Sequence, residues 1–187
     1  FSCLLVNREN SIKIDLDING FNLTGTADNI YNGRSIFFRY ATAKGMDILS
    51  AWITHLALCA GGEFSGETYL ISKNITQGWG QVAGCREILA SLLEIYEEGM
   101  MKPLPLFPKS SLRFAEVFHD GKKGEPGARA LKAAAGAFSS SYYRGDSDDQ
   151  YIRKFFSDIY LCRDKFQELA LKVYAPVYEN MLEEAEL

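Results

Sequence analysis

The sequence predicts an α/β fold, a mixed sheet flanked by helices and followed by a mainly helical C-terminal part. Three observations predict it. The first forty-odd residues read as strands, with apolar and polar residues alternating at period two over 12–18 and 21–27. The period changes to 3.6 from Met46 onward. After Ser110 the pattern is helical almost throughout. Across 187 residues, 47% hydrophobic and 13% aromatic content supports a sizeable core and excludes a disordered chain.

The elements follow in order. Ile12-Lys13-Ile14-Asp15-Leu16-Asp17-Ile18 alternates apolar and polar residues, which predicts a half-buried strand. Asn19-Gly20 tolerates positive φ at both positions and closes a two-residue hairpin into a strand over 21–27. Asn32-Gly33 predicts a second such turn, and 35–40 reads as a more continuously apolar strand near a sheet centre. Met46, Leu49, Ile53, Leu56 and Ala60 predict a helix packed on the sheet, with Asp47 in its first turn and Gly61-Gly62 as its stop. A strand over 67–73 and a helix over 84–98, ended by Gly99, come next. In that helix Ile88, Leu89, Leu92, Leu93 and Tyr96 are expected inward. Prolines at 103, 105 and 108 keep the following segment extended. Ser110 or Ser111 is expected to cap a helix ending at His119. A polar loop over 120–127, a helix over 128–138, an acidic turn over 145–149 and a last helix from about Cys162 complete the chain. The N-terminus at Phe1, without an initiator Met, reads as the middle of a strand. The expected organisation is one domain, 1–187, excised from a larger chain, with an α/β core over 1–109 and a helical part over 110–187.

Net charge is only -4, but it is unevenly distributed. Residues 102–132 hold seven Lys/Arg against three Asp/Glu, and residues 146–187 hold five against ten. Two surfaces of opposite sign predict two kinds of partner. Cys3, Cys59, Cys85 and Cys162 have no zinc-type spacing and are expected as reduced core thiols in a cytoplasmic protein. No apolar run reaches a membrane span.

Gly25-Thr26-Ala27-Asp28, followed by Phe38-Arg39-Tyr40-Ala41, has the layout of a metal-dependent nuclease site on two adjacent strands. Such a site needs carboxylates to hold a divalent cation and a lysine near the attacking water. Asp28 fits the first position. The second strand should carry a carboxylate and, two residues on, a lysine; it carries Arg39 and Ala41. A guanidinium cannot ligate a cation, and Lys44 lies beyond the strand. No catalytic residue, metal or cofactor is therefore expected, and Asp28, Arg39 and Ala41 mark a degenerate site in which Arg39 neutralises Asp28. The competing expectation is a rearranged metal-dependent nuclease using Asp28 with Asp15 or Asp17.

Three stretches carry a resemblance. The first is Leu23-x-Gly25-x-x-Asp28 with Phe38-Arg39-Tyr40 and Leu49-x-x-Trp52-Ile53-x-His55-Leu56. The second is Pro103-Leu104-Pro105-Leu106-Phe107-Pro108-Lys109-Ser110-Ser111. The third is Gly145-Asp146-Ser147-Asp148-Asp149. Together they resemble the RecC C-terminal domain family, part of the gamma chain of exodeoxyribonuclease V. The resemblance implies a restriction-endonuclease-like core in a non-catalytic subunit. It also implies RecB-like and RecD-like partner subunits, double-stranded or forked DNA, a role in double-strand break repair and recombination, and no membrane.

The basic stretch supplies the DNA-contact candidates Lys109, Arg113, Lys122, Lys123, Arg129 and Lys132, which suit phosphate contacts without base reading. Tyr142-Tyr143-Arg144, beside a charge in a loop, is a better stacking candidate than Trp79 and Tyr69, which read more readily as packing residues. His55 and His119 are expected in structural roles. A module that binds only protein is the third functional class left open.

Overall fold

Asn19 and Gly20 take φ of 51° and 85° and join strand β1, Ile12–Ile18, to β2, Phe21–Ala27, in an antiparallel hairpin. The computed structural model describes residues 7–121 and 126–183. The hairpin forms its own two-stranded sheet. A second sheet has the order β3-β4-β5-β6, with β3 at Ile30–Tyr31, β4 at Arg34–Arg39, β5 at Thr68–Ser72 and β6 at Thr76–Trp79. Asn32 and Gly33, also at positive φ, turn β3 into β4. β4 and β5 are parallel, with Phe38 opposite Ile71 and Arg39 opposite Ser72, and the remaining pairs are antiparallel. The parallel pair requires a crossover, supplied by helix α1, Gly45–Gly61. The short strand β6 was not foreseen. Its edge is extended by Met181 and Leu182, whose backbone pairs with Trp79 and Gly78.

The chain divides into two compact units, 1–93 with 180–187, and 94–179. The division falls within helix α2, Cys85–Met101, ahead of the 109/110 divide read from the sequence. Gly99 does not end α2, which continues to Met101 before Pro103.

In the first unit α1 buries Ile48, Ala51, Trp52, His55, Leu56, Ala57 and Leu58. Met46 and Ile53, expected inward, are exposed. The inner stripe is instead built around His55, which is fully buried. Its Nδ1 lies 2.8 Å from Thr68 Oγ1 and its Nε2 2.7 Å from the Gly80 carbonyl. A carbonyl only accepts, so Nε2 carries the proton and Nδ1 accepts from the threonine hydroxyl. The ring stacks on Trp52 and Trp79, with centroids 5.9 and 6.4 Å away. Burial lowers the His55 pKa, and the Gly80 bond opposes this only in part. Trp79 and Tyr69 are both buried and belong to packing. Arg86, at the start of α2, donates to the carbonyls of Asp17 and Ala60 and ties the hairpin to the end of α1. Cys59, Cys85 and Cys162 are free thiols but half-buried, less enclosed than expected; Cys3 lies outside the described residues.

The second unit is helical: α3 at Pro108–His119, α4 at Pro126–Phe138, α5 at Gln150–Phe155 and α6 at Arg163–Glu179, with 3-10 turns at Asp146–Asp148 and Ile159–Cys162. Its core gathers Phe107, Phe114, Phe138, Phe166 and Ile159, with Ala130, Ala134 and Ala170 between them. Phe107 is the hub, 4.9 Å from Phe138, 5.3 Å from Phe156 and 5.8 Å from Phe166 between ring centroids. Pro108 holds Phe107 extended at φ -109° and ψ 132°, and itself occupies the first helical position of α3. Ser110 and Ser111 do not cap α3. They lie inside it, buried, and the cap comes from Asp146. The Asp146 carboxylate accepts from Ser110 N–H at 2.8 Å, Ser110 Oγ at 2.6 Å and Lys109 N–H at 3.2 Å. The Lys109 ammonium donates to the Arg144 carbonyl. Asp149, in the acidic turn, caps α5, accepting from Tyr151 and Ile152 N–H.

Two predictions follow from these cores. A Cβ at Gly145 would stand 2.4 Å from the Phe138 carbonyl oxygen, whereas at Gly136 it would meet nothing within 4 Å. Urea unfolding should show Gly145→Ala losing about 1–3 kcal/mol and Gly136→Ala gaining about 0.5–1 kcal/mol. Equal effects would contradict the packing at the acidic turn. The second concerns pH. The folded pKa of His55 lies below the unfolded value of about 6.5. The neutral ring's contribution is therefore complete above that value and is lost as pH falls below it. In a His119→Gln background, where His55 is the remaining histidine, the urea midpoint should fall between pH 7.5 and 5.5. A flat profile would contradict the assignment.

Candidate nucleic-acid interface

Asp28 sits in the short link between β2 and β3, and its side chain is exposed. The partner strand of β4 on that side is β3, so the two halves of the expected site are not on adjacent strands. Arg39 does not neutralise Asp28. Its Nη1 lies 2.8 Å from Asp47 Oδ1 in the first turn of α1, and its Nε donates to the Thr42 carbonyl at 3.0 Å. The other Asp47 oxygen accepts from Lys44 N–H at 2.7 Å. One carboxylate thus closes the helix N-terminus and fixes the guanidinium. Asp15 and Asp17 lie on the solvent face of β1, and Asp17 accepts from Gly20 N–H in the hairpin turn. Among the described residues, no three His, Cys, Asp or Glu side chains converge into a metal-holding group. Ala41 contributes its carbonyl, which accepts from Lys73 N–H at 3.1 Å.

Residues 4–119 match the family model of the RecC C-terminal domain, more than half of the chain. The chain belongs to the RecC C-terminal domain family. It is 31% identical over 83% of its length to the RecBCD enzyme subunit RecC of Mycolicibacterium smegmatis, of which it spans 15%. It is 25% identical over 80% of its length to the RecBCD enzyme subunit RecC of Escherichia coli, of which it spans 14%. With the corresponding Buchnera aphidicola subunit it shares 25% identity over 90% of its length and 16% of that protein. The chain therefore spans about one seventh of these RecC relatives. The family match contains Asp28, Arg39, Ala41, Lys109 and Arg113 and ends before α4.

The Pro-rich run and the acidic turn of the second unit serve the fold. The Pro-rich run and the acidic turn meet at Asp146, and Lys109 is drawn into that junction. Arg113 pairs with Glu116 at 2.6 Å. Lys122 and Lys123 lie outside the described residues. Arg129 and Lys132 are exposed on α4 and hold no ion pair among the described residues. At i and i+3 they share a face that continues to Gly136 at i+7. The Tyr143 hydroxyl donates to the Gly136 carbonyl at 3.4 Å, which brings the exposed Tyr142-Tyr143-Arg144 segment to the end of the same stripe. Sequence spacing within 128–138 contains the Arg129–Lys132 pairing; the tyrosine joins it only through the folded loop. No helix of the described residues is long and apolar enough to cross a membrane.

The Arg39–Asp47 pair is partly shielded, with side chains 34% and 22% exposed. Arg39→Ala should cost about 0.5–1 kcal/mol. Asp47→Ala, which also opens the helix end, should cost about 1–2 kcal/mol, and Asp28→Ala less than about 0.5 kcal/mol. Urea unfolding with an Arg39/Asp47 double-mutant cycle measures this order. Zero coupling between the two would contradict the pairing.

Proposed function

We propose that this chain is a non-catalytic, nuclease-like domain of a RecC-type subunit that scaffolds a RecBCD-type complex and guides DNA during double-strand break repair and recombination. The observation that carries this reading is the state of Arg39. A cation stands where metal-dependent cleavage needs a carboxylate, and it is held there by Asp47 at 2.8 Å. The restriction-endonuclease-like relationship of the core belongs to the same reading. It is supported by β4, α1 and β5, which form a parallel pair joined by a helical crossover. The domain needs no cofactor in this role. Its partners are RecB-like and RecD-like subunits and double-stranded or forked DNA, in a cytoplasmic setting. The exposed Tyr151, Phe155 and Leu161, in the acidic C-terminal part, favour a protein contact within that scaffold.

The α4 stripe is the duplex contact in this reading, with Arg129 and Lys132 on phosphates. Lys122, Lys123, Lys109 and Arg113 extend the basic region in sequence. Two measurements test it. Incubated with linear DNA and Mg²⁺ or Mn²⁺, the chain should leave the DNA intact, and cleavage abolished by Asp28→Ala would overturn the non-catalytic assignment. The double variant Arg129→Glu, Lys132→Glu should weaken duplex binding and lower the magnitude of its salt slope by about 2. An unchanged slope would remove α4 from the DNA path.

A further inference from the structure

The C-terminal ends of β4 and β5 open onto a cleft of about 510 Å³ lined by Phe38, Arg39, Tyr40, Ile71, Ser72 and Lys73. Its position is physically favourable. In open sheets with helical crossovers, ligands bind beyond the carboxyl ends of parallel strands, and the volume suits a small organic group. Its lining combines two chemistries. Phe38 lies near the end of β4 and Tyr40 in the bend just after it, and both line the cleft. Tyr40 is fully exposed and Phe38 is 49% exposed. Ile71, directly opposite Phe38 across the parallel pair, forms an apolar floor. The described lining residues include two cations and no carboxylate. Arg39 is committed to Asp47, whereas the exposed Lys73 has no ion pair among the described residues.

The walls are already built. Lys73 N–H donates to the Ala41 carbonyl at 3.1 Å, and Ala43 N–H donates to Asn74 Oδ1 at 2.6 Å. Ser72 Oγ donates to the Ile75 carbonyl at 3.1 Å. The loops after β4 and β5 are thus joined to each other, so a ligand would not have to order them.

We propose that this cleft holds single-stranded DNA, with a base stacked on Tyr40 and Phe38 and the neighbouring phosphate on Lys73. Aromatic faces beside a cation accept any base without reading it. A duplex keeps its base faces stacked internally and offers Tyr40 nothing to stack on. An apolar peptide filling the cleft would bury the Lys73 ammonium without a counter-charge, which is costly. The inference rests on the DNA-guiding reading above and adds an unpaired strand, held by residues of the first unit and not by α4.

The test compares a fluorescein-labelled oligo(dT) and a labelled blunt duplex on the full chain and its variants. Tyr40→Ala should weaken oligo(dT) binding about tenfold and Tyr40→Phe should restore it. Lys73→Ala should lower the magnitude of the oligo(dT) salt slope by about 0.7. An oligonucleotide carrying 5-iododeoxyuridine should photocrosslink to Tyr40 or Phe38. Duplex binding should be unchanged in all three variants. Oligo(dT) binding unaffected by Tyr40→Ala and Lys73→Ala, or crosslinks confined to other segments, would overturn the cleft while leaving the duplex role of α4 intact. Failure to bind either DNA would overturn both. Loss of a partner subunit by Tyr40→Ala, with oligo(dT) affinity unchanged, would make the cleft a protein contact and overturn the proposal as well.

Discussion

The Asp146 carboxylate at the N-terminus of α3 is the interaction on which the second unit depends. A buried carboxylate is costly unless its oxygens are satisfied, and Asp146 is only 5% exposed. The uncapped end of α3 supplies what it needs: two backbone N–H groups, a serine hydroxyl and the favourable end of the helix dipole. Every neighbouring choice serves this contact. Pro108 holds Phe107 in the extended entry to the helix, and Phe107 becomes the centre of the aromatic core. Gly145 passes against the Phe138 carbonyl, where a side chain has no room. Burial, and after it the Asp146 charge, push the Tyr174 phenol up and keep it neutral. The Pro-rich run and the acidic turn are therefore the two sides of one structural joint.

A second carboxylate plays a comparable part in the first unit. Asp47 satisfies the start of α1 and pins Arg39 at the end of β4. The pair anchors the guanidinium between the end of β4 and the first turn of α1. The guanidinium is an integrated part of the strand-to-helix corner and a constituent of the cleft wall. Its charge is balanced locally, which leaves Lys73 to give that cleft its electrostatic character.

Much of the fold was legible. Asn-Gly turns, period-two strands and glycine or proline helix boundaries express local backbone preferences, so both hairpin turns, β5 and α4 appear where the sequence places them. The failures have physical causes. Hydrophobicity alone favoured Met46 and Ile53 as inward residues of α1, but the inward stripe follows His55, a polar ring made buriable by two hydrogen bonds from elements outside the helix. Gly99 was read as a stop, yet one glycine costs only about 1 kcal/mol within a helix. Ser110 and Ser111 looked like caps because the true cap lies far along the chain. The site was less legible than the fold. The spacing of Asp28 and Arg39 implied neighbouring strands, whereas Asp28 lies in the link after β2, whose sheet does not contain β4.

The sequence by itself determined the order of elements, the RecC-like lineage and the absence of the carboxylate–lysine pair on the second strand, because each is written in residues adjacent along the chain. Only the tertiary structure decided what Arg39 pairs with, which face of α1 is inside, where the acidic turn docks, and that Tyr40 and Lys73 share a cleft. Those outcomes join residues from separate elements. Parallel pairing across α1, the burial of Asp146 and the Arg39–Asp47 pair decide them, and none has a local signature.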